Sequence, residues 1–237
     1  MSNAIYTSLT RQQGLMQELQ VVANNLANSS TTGYKTDRAI FAEFLVGAGA
    51  QQDSLSMGGL AGHTFKLEQG DFNFTGGQFD LAVQGEGFFV VQAPQGPRLT
   101  RAGHFQLSSE STLIDASGNA VLGAGGNPIT IPEEATKVFI ANDGSVSADG
   151  LLIDRVGVVR AQGELQRDSN TMFVAPEGYA QFEEAVVVQG ALEQSNVMPV
   201  LEVARMIEVQ RAYEAGQAMM EREDERINQL ISAVRER

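Results

Sequence analysis

Residues 198–234 constrain the fold more than any other stretch. After Pro199 there is no proline, and the one glycine is Gly216. Alanine, glutamate, arginine, leucine and methionine dominate, and these lose little freedom on entering a helix. Met206, Val209, Tyr213, Gly216, Met220, Glu223, Ile227, Leu230 and Val234 recur in alternating steps of three and four. Such spacing averages about 3.5 residues and draws a single seam along a helix, as in a coiled coil. Glu202 with Arg205, Glu208 with Arg211 and Glu223 with Arg226 stand at i,i+3, which predicts ion pairs on the wetter surface. A helix of this length runs roughly 55 Å, further than a small domain is wide. It needs partners along its length.

The start of the chain offers one. Over residues 3–28, Ile5, Leu9, Met16, Leu19, Ala23 and Leu26 follow the same alternation, with Gln12 as a polar interruption and Leu15 and Val22 broadening the stripe. The helix is expected to stop in a polar turn rich in Asn24, Asn25, Asn28, Ser29, Ser30, Thr31 and Thr32, because such side chains compete for backbone hydrogen bonds. Gly33 supplies a residue that tolerates positive φ. The turn lacks the spacing and preceding strand of a phosphate-binding loop. Residues 31–70, which include a glycine-rich polar run, read as an extended linker or arm.

Between the helices the pattern changes. Short apolar runs such as Phe88-Phe89-Val90-Val91 and Val156 to Arg160 alternate with turn signals, among them Pro94-Gln95-Gly96-Pro97, Asn142-Asp143-Gly144 and Asp149-Gly150. This rhythm predicts an all-β domain, sandwich- or barrel-like. The expected fold class is α+β. A β-rich domain over 71–195 is enclosed in sequence by a terminal helical assembly domain, 1–30 plus 196–237.

Chemistry is thin. A net charge of −13 disfavours binding to nucleic acid or to an anionic membrane surface, since phosphate neutralisation requires clustered Lys and Arg. The absence of cysteine excludes disulfides and thiolate chemistry. His63 and His104 are the only histidines and read as surface or turn residues. No nucleophile elbow is present. Gly123-Ala124-Gly125-Gly126 is mis-spaced for a dinucleotide fingerprint, with Pro128 where a helix should begin. The run from Asn142 to Gly150 lacks the acids of a calcium loop. No catalytic, cofactor or metal site is expected. The N-terminus has no basic and apolar leader pattern, which leaves open a cytoplasmic protein or one exported without a cleaved signal.

Three stretches carry a resemblance. Ala23-Asn24-Asn25-Leu26-Ala27-Asn28 with Thr32-Gly33-Tyr34-Lys35 resembles the opening signature of bacterial flagellar rod and hook proteins. Asp80 to Val91, followed by Leu99-Thr100-Arg101-Ala102-Gly103-His104-Phe105, is similar to that family's central motif. Leu192-Glu193-Gln194-Ser195-Asn196-Val197, then Met206-Ile207-Glu208 and Gln210-Arg211-Ala212-Tyr213-Glu214, is similar to its ending. The resemblance implies a structural subunit, not an enzyme. It implies assembly through the terminal helices with copies of itself and other rod proteins into a tube, and passage through the flagellar type III export apparatus to a periplasm-spanning rod, with no lipid anchor. The expected assembly interface comprises the two seams listed above, except Glu223, with Asn24, Asn25 and Asn28. Asn196-Val197-Met198-Pro199-Val200 and the opening residues are most similar to proximal-rod members, with distal-rod members as the alternative. A secreted β-rich enzyme and a non-flagellar coiled-coil scaffold are the competing classes.

Overall fold

The computed structural model describes residues 2–46 and 55–235, with side chains for residues 7–42, 61–229, 231–233 and 235. The chain divides into two compact units. One contains helix α1 (Ser2–Ala27), strands β1 (Asp37–Val46) and most of β2 (Leu55–Phe65), and helix α2 (Pro199–Arg235). The other contains Asn28–Thr36 and Phe65–Val197. The α+β class read from the sequence is the fold observed.

In the helical unit, Gln12 reaches Tyr213, Glu18 reaches Arg205 and Asn25 reaches Glu202. Rising numbers on α1 meet falling numbers on α2, so the helices run antiparallel. Along α2 the inward residues are those of the expected seam: Val209 is buried, and Met206, Tyr213, Gly216, Met220, Glu223 and Ile227 are half-buried. Along α1 the face differs from expectation. Gln12, Val21, Val22 and Asn25 are buried, whereas Leu9 and Met16 are 56% and 45% exposed and Ala23 is exposed. Residues 37–46 and 55–65, within the expected linker, pair as a two-stranded ribbon. Phe41 of that ribbon sits where a Cβ on Gly14 would come within 3.2 Å, so α1 turns a second face to β1. Having two faces occupied is why its inward stripe departs from a simple seam.

The β unit is organised around β5 (Phe88–Ala93). One edge of β5 pairs with β6 (Gly96–Thr100); the other is shared by β13 (Val158–Ala161) and β9 (Ala120–Val121). All of these pairings are antiparallel. Phe89 and Val91 enter one hydrophobic cluster with Leu81, Phe105, Leu113, Ile140 and Val187, while Phe88 and Val90 enter a second with Leu99, Val159 and Phe173. A run of four consecutive apolar residues suits a strand covered on both faces. Burying each such side chain contributes about 1.5–3 kcal/mol. The sheet extends through β15 (Met172–Val174) and β14 (Gln166–Arg167) on one side and β8 (Leu113–Asp115) and β7 (Phe105–Leu107) on the other. A separate three-stranded sheet holds β10 (Val138–Ile140), β11 (Ser145–Ala148) and β12 (Leu151–Arg155).

Candidate functional site: a helical seam and a buried ion triad

The expected interface residues divide by environment. Asn25 is 1% exposed. Its amide donates to the Asp37 carbonyl at 2.8 Å and its oxygen accepts from the Asp37 N–H at 2.9 Å, so one side chain satisfies both backbone groups at the start of β1. The same amide donates to the buried Glu202 carboxylate at 3.3 Å. Asn28 is buried and receives the Thr31 hydroxyl, whereas Asn24 is exposed. Leu19 and Leu26 are half-buried. Ile5, Leu230 and Val234 lie outside the residues whose side chains are described.

The two flaws of the predicted seams meet each other. Gln12 Nε2 donates to the Tyr213 carbonyl at 2.9 Å, and a Cβ on Gly216 would stand 2.5 Å from that nitrogen. At Gly216 the close neighbour from α1 is therefore the Gln12 side chain. The i,i+3 pair Glu223–Arg226 forms at 2.7 Å. The expected Glu202–Arg205 pair is replaced: Glu202 turns in to Asn25, and Arg205 bonds Glu18 across the helices at 2.5 Å and Glu208 at 3.5 Å. Crossing to Glu18 raises the Arg205 pKa, chiefly through that hydrogen bond.

Within the β unit lies a site that periodicity does not reveal. Glu193, whose side chain is fully buried, accepts Lys35 Nζ at 2.5 Å and the Gly70 N–H at 3.0 Å on Oε1, and Arg101 Nη1 at 3.0 Å on Oε2. Lys35 also donates to the Glu68 carbonyl, and Arg101 to the carbonyls of Val83 and Gly85. Arg101 Nε has no partner. Burial pushes the pKa of Lys35 and of Arg101 down, opposed by the Glu193 charge. Two buried cations thus share one carboxylate, a geometry in which removal of the anion is far more damaging than removal of either cation.

The triad pins the segments through which the chain leaves α1 and enters α2. Gly33 N–H donates to the Glu193 carbonyl at 2.8 Å. Gly33 has φ 71° and a Cβ there would strike the Ala102 nitrogen at 2.2 Å, so both its conformation and its clearance demand glycine. Asn196 Oδ1 accepts the Thr36 N–H and hydroxyl, each at 2.8 Å, and its amide donates to the carbonyls of Lys66 and Glu68. The Arg167 guanidinium lies 4.5 Å from the Tyr34 ring, 4.8 Å from Phe65 and 5.0 Å from Phe173, and donates to the Lys35 carbonyl at 2.5 Å. Isolated charges beside glycine within otherwise apolar motifs were the one signal for this cluster, and they lie too far apart in sequence to form a local pattern.

The remaining candidates are held by turn chemistry. His104 meets Asp80 at 2.7 Å and His63 meets Asp37 at 3.0 Å, with both rings substantially exposed. Asp143 receives the Ser145 N–H and hydroxyl, which lower its pKa. Among the described residues no three His, Asp or Glu side chains converge on a metal-sized space, and no helix is long and apolar enough to cross a membrane.

These features define the class: an α+β chain whose long terminal helices pair with each other and which, between them in sequence, has a β region carrying its own core. Three family descriptions match consecutive parts of it. Residues 5–35 match "Flagella basal body rod protein", 82–148 the "Flagellar hook protein FlgE/F/G D1 domain", and 188–233 the "Flagellar basal body rod FlgEFG protein C-terminal". The flagellar basal-body rod protein FlgF of Caulobacter vibrioides is 39% identical over 93% of each chain. FlgF of Mesorhizobium japonicum is 32% identical over 93% of this chain and 92% of its own. The rod protein FlgG of Bacillus subtilis is 28% identical over 99% of this chain and 100% of its own. The protein belongs to the flagellar basal-body rod protein family. Lys35, Arg101 and Glu193 come one each from the three matched segments, so the triad is where the parts of the family pattern are bonded together.

Proposed function

We propose that the protein is a FlgF-type structural subunit of the proximal flagellar rod, without catalytic activity. The observation that carries this reading, for a member of the rod family, is the apolar surface the helical unit leaves uncovered. Leu9, Met16, Val200, Val203, Ile207, Met219 and Ile231 are each at least 42% exposed. Desolvating such surface against neighbouring subunits contributes about 25 cal/mol per Å². In this reading the neighbours are copies of the chain and other rod proteins, met through coiled-coil-like contacts of the terminal helices. Repeated heterologous contacts leave a tube open until a different protein caps it. The tube crosses the periplasm and transmits torque, and its subunits arrive through the flagellar type III apparatus without a cleaved signal.

The FlgF relatives at 39% and 32% identity support the proximal assignment. A distal, FlgG-type subunit is the second reading, favoured by the end-to-end alignment with the Bacillus protein. Electron microscopy of basal bodies from a strain lacking this gene separates them. A rod stopping near its base is expected; a rod lacking only its outer portion favours the distal reading, and an unchanged rod overturns both.

A further inference from the structure

Between α1, the start of β1 and the first turns of α2 the helical unit has a cavity of about 300 Å³. Glu18, Asp37, Glu202 and Glu208 set four carboxylates on its wall against two arginines, Arg38 and Arg205. Arg205 is committed to Glu18 and Glu208, and Asp37 meets His63. That leaves Glu202. It is 7% exposed, and among the described residues no cation lies within ion-pair distance of it. Its carboxylate accepts one hydrogen bond, on Oε2, from the neutral Asn25 amide at 3.3 Å. The other oxygen, Oε1, accepts none and is not sealed from solvent.

Buried carboxylates are ordinarily paired. Glu193 in the same chain shows the usual solution, two cations and a backbone N–H. Glu202 stands in the first turn of α2, where the helix end carries roughly half a positive charge, so part of a full charge stays unmatched. The missing partner is larger than a bare ion, because among the described residues no three acidic or histidine side chains converge on a metal-sized space. A guanidinium has the right chemistry. It is weakly hydrated, its donors form a fork suited to carboxylates, and its stem packs on apolar side chains such as Val21 and Leu201, which also line the cavity. Asn25 bonds both the Asp37 backbone and Glu202, which brings a second acidic residue to the same corner.

We propose that this cavity binds a guanidinium group, with Glu202 as its anchoring carboxylate. The group is an arginine side chain of a second copy of this chain or a free guanidinium compound. Arg38, exposed on the same wall and without an ion pair among the described residues, opposes a further cation there.

Ethylguanidinium titrated into the full-length protein tests this, read by amide nuclear magnetic resonance. Resonances of residues 37–39 and 201–205 are expected to shift and saturate, with ethylammonium binding about tenfold more weakly. Glu202→Gln should weaken ethylguanidinium binding about tenfold or more. Ala204→Leu, which fills part of the cavity and leaves the carboxylate in place, should also weaken it, whereas Arg38→Ala should tighten it about threefold. Shifts that never saturate, that spread over exposed carboxylates at large, or that persist in both Glu202→Gln and Ala204→Leu overturn the proposal; circular dichroism of each variant shows whether the fold is retained. Sedimentation velocity then separates the sources. Self-association weakened both by Glu202→Gln and by added ethylguanidinium supports the second copy. Self-association indifferent to both, with saturable ethylguanidinium binding, supports the free compound.

Discussion

The two units solve the problem of burial differently. In the β unit Leu81, Phe89, Val91, Leu113, Val121, Ile129 and Phe173 are all completely buried. Even its interior cations, Lys35 and Arg101, share a buried counter-charge in Glu193. In the helical unit the buried apolar side chains among the described residues are Val21, Val22 and Val209, while Val200 is 82% exposed and Leu201 59%. The β unit closes a large core although Phe74, Phe139, Leu151 and Leu152 stay outward, whereas the helical unit buries little and holds much of its apolar surface outward. Stability should therefore be local to the first and conditional on neighbours in the second.

The largest expected effect breaks the β unit. Glu193→Ala strands two buried cations and should cost about 3–5 kcal/mol, read as a lower denaturant midpoint by circular dichroism. Replacing all three members together, with Lys35→Met, Arg101→Met and Glu193→Leu, should recover most of that loss, because apolar substitutes need no counter-charge. A single change as mild as a surface substitution would show that the triad is not what holds the unit closed.

Asn25→Leu should act on the helical unit alone. It strips the partners from both backbone groups of Asp37 and from Glu202, a loss of about 2–3 kcal/mol. Hydrogen exchange should quicken in α1 and α2 while the amides of β5 keep their protection. In the unaltered monomer, amides around Leu19 and Ile227 should already exchange faster than those of β5, and equal protection would erase the contrast between the units. Gly216→Leu comes next. It drives a side chain into Gln12, costs about 1–3 kcal/mol by overpacking, and should abolish motility if assembly requires the close approach.

The smallest effect is a pH slope. Burial lowers the Lys35 pKa below 10.5, so between that lowered value and 10.5 the unfolded chain binds more protons at this site than the folded one. Stability then rises with pH across the window, and falls as pH drops through the native pKa. Lys35→Met should remove this part of the rise in a series of denaturant titrations, sharpening the assignment of the buried charge.

How much of this was legible follows from range. From Met206 to Ile227 the inward face of α2 follows the spacing read from the sequence, because a helix with one packed face repeats locally. That of α1 was misread because Gln12, treated as an interruption, is the contact itself, and because β1 claims a second face. Its partner flaw, Gly216, lies at matching depth on α2, and pairing the two interruptions could have given the register. The ribbon of residues 37–46 and 55–65 escaped because the glycines of its second strand dilute strand character. The triad escaped for the opposite reason, since its members stand 158 and 92 residues apart and no periodicity links them. Family resemblance marked the motifs containing them without indicating that they touch.

The order in which the triad's members occur has a consequence for a chain handled from its N-terminus. Lys35 and Arg101 arrive first, and the carboxylate that bonds both of them comes at residue 193. Until then these two cations lack the carboxylate they share, and burying them is costly. The closing contact makes the strand Ala191–Glu193 a signature of completeness: a chain cut before Glu193 should stay protease-sensitive throughout residues 65–192. On the proposed export route, the placement of one side chain delays this closing contact until the end of the chain has arrived.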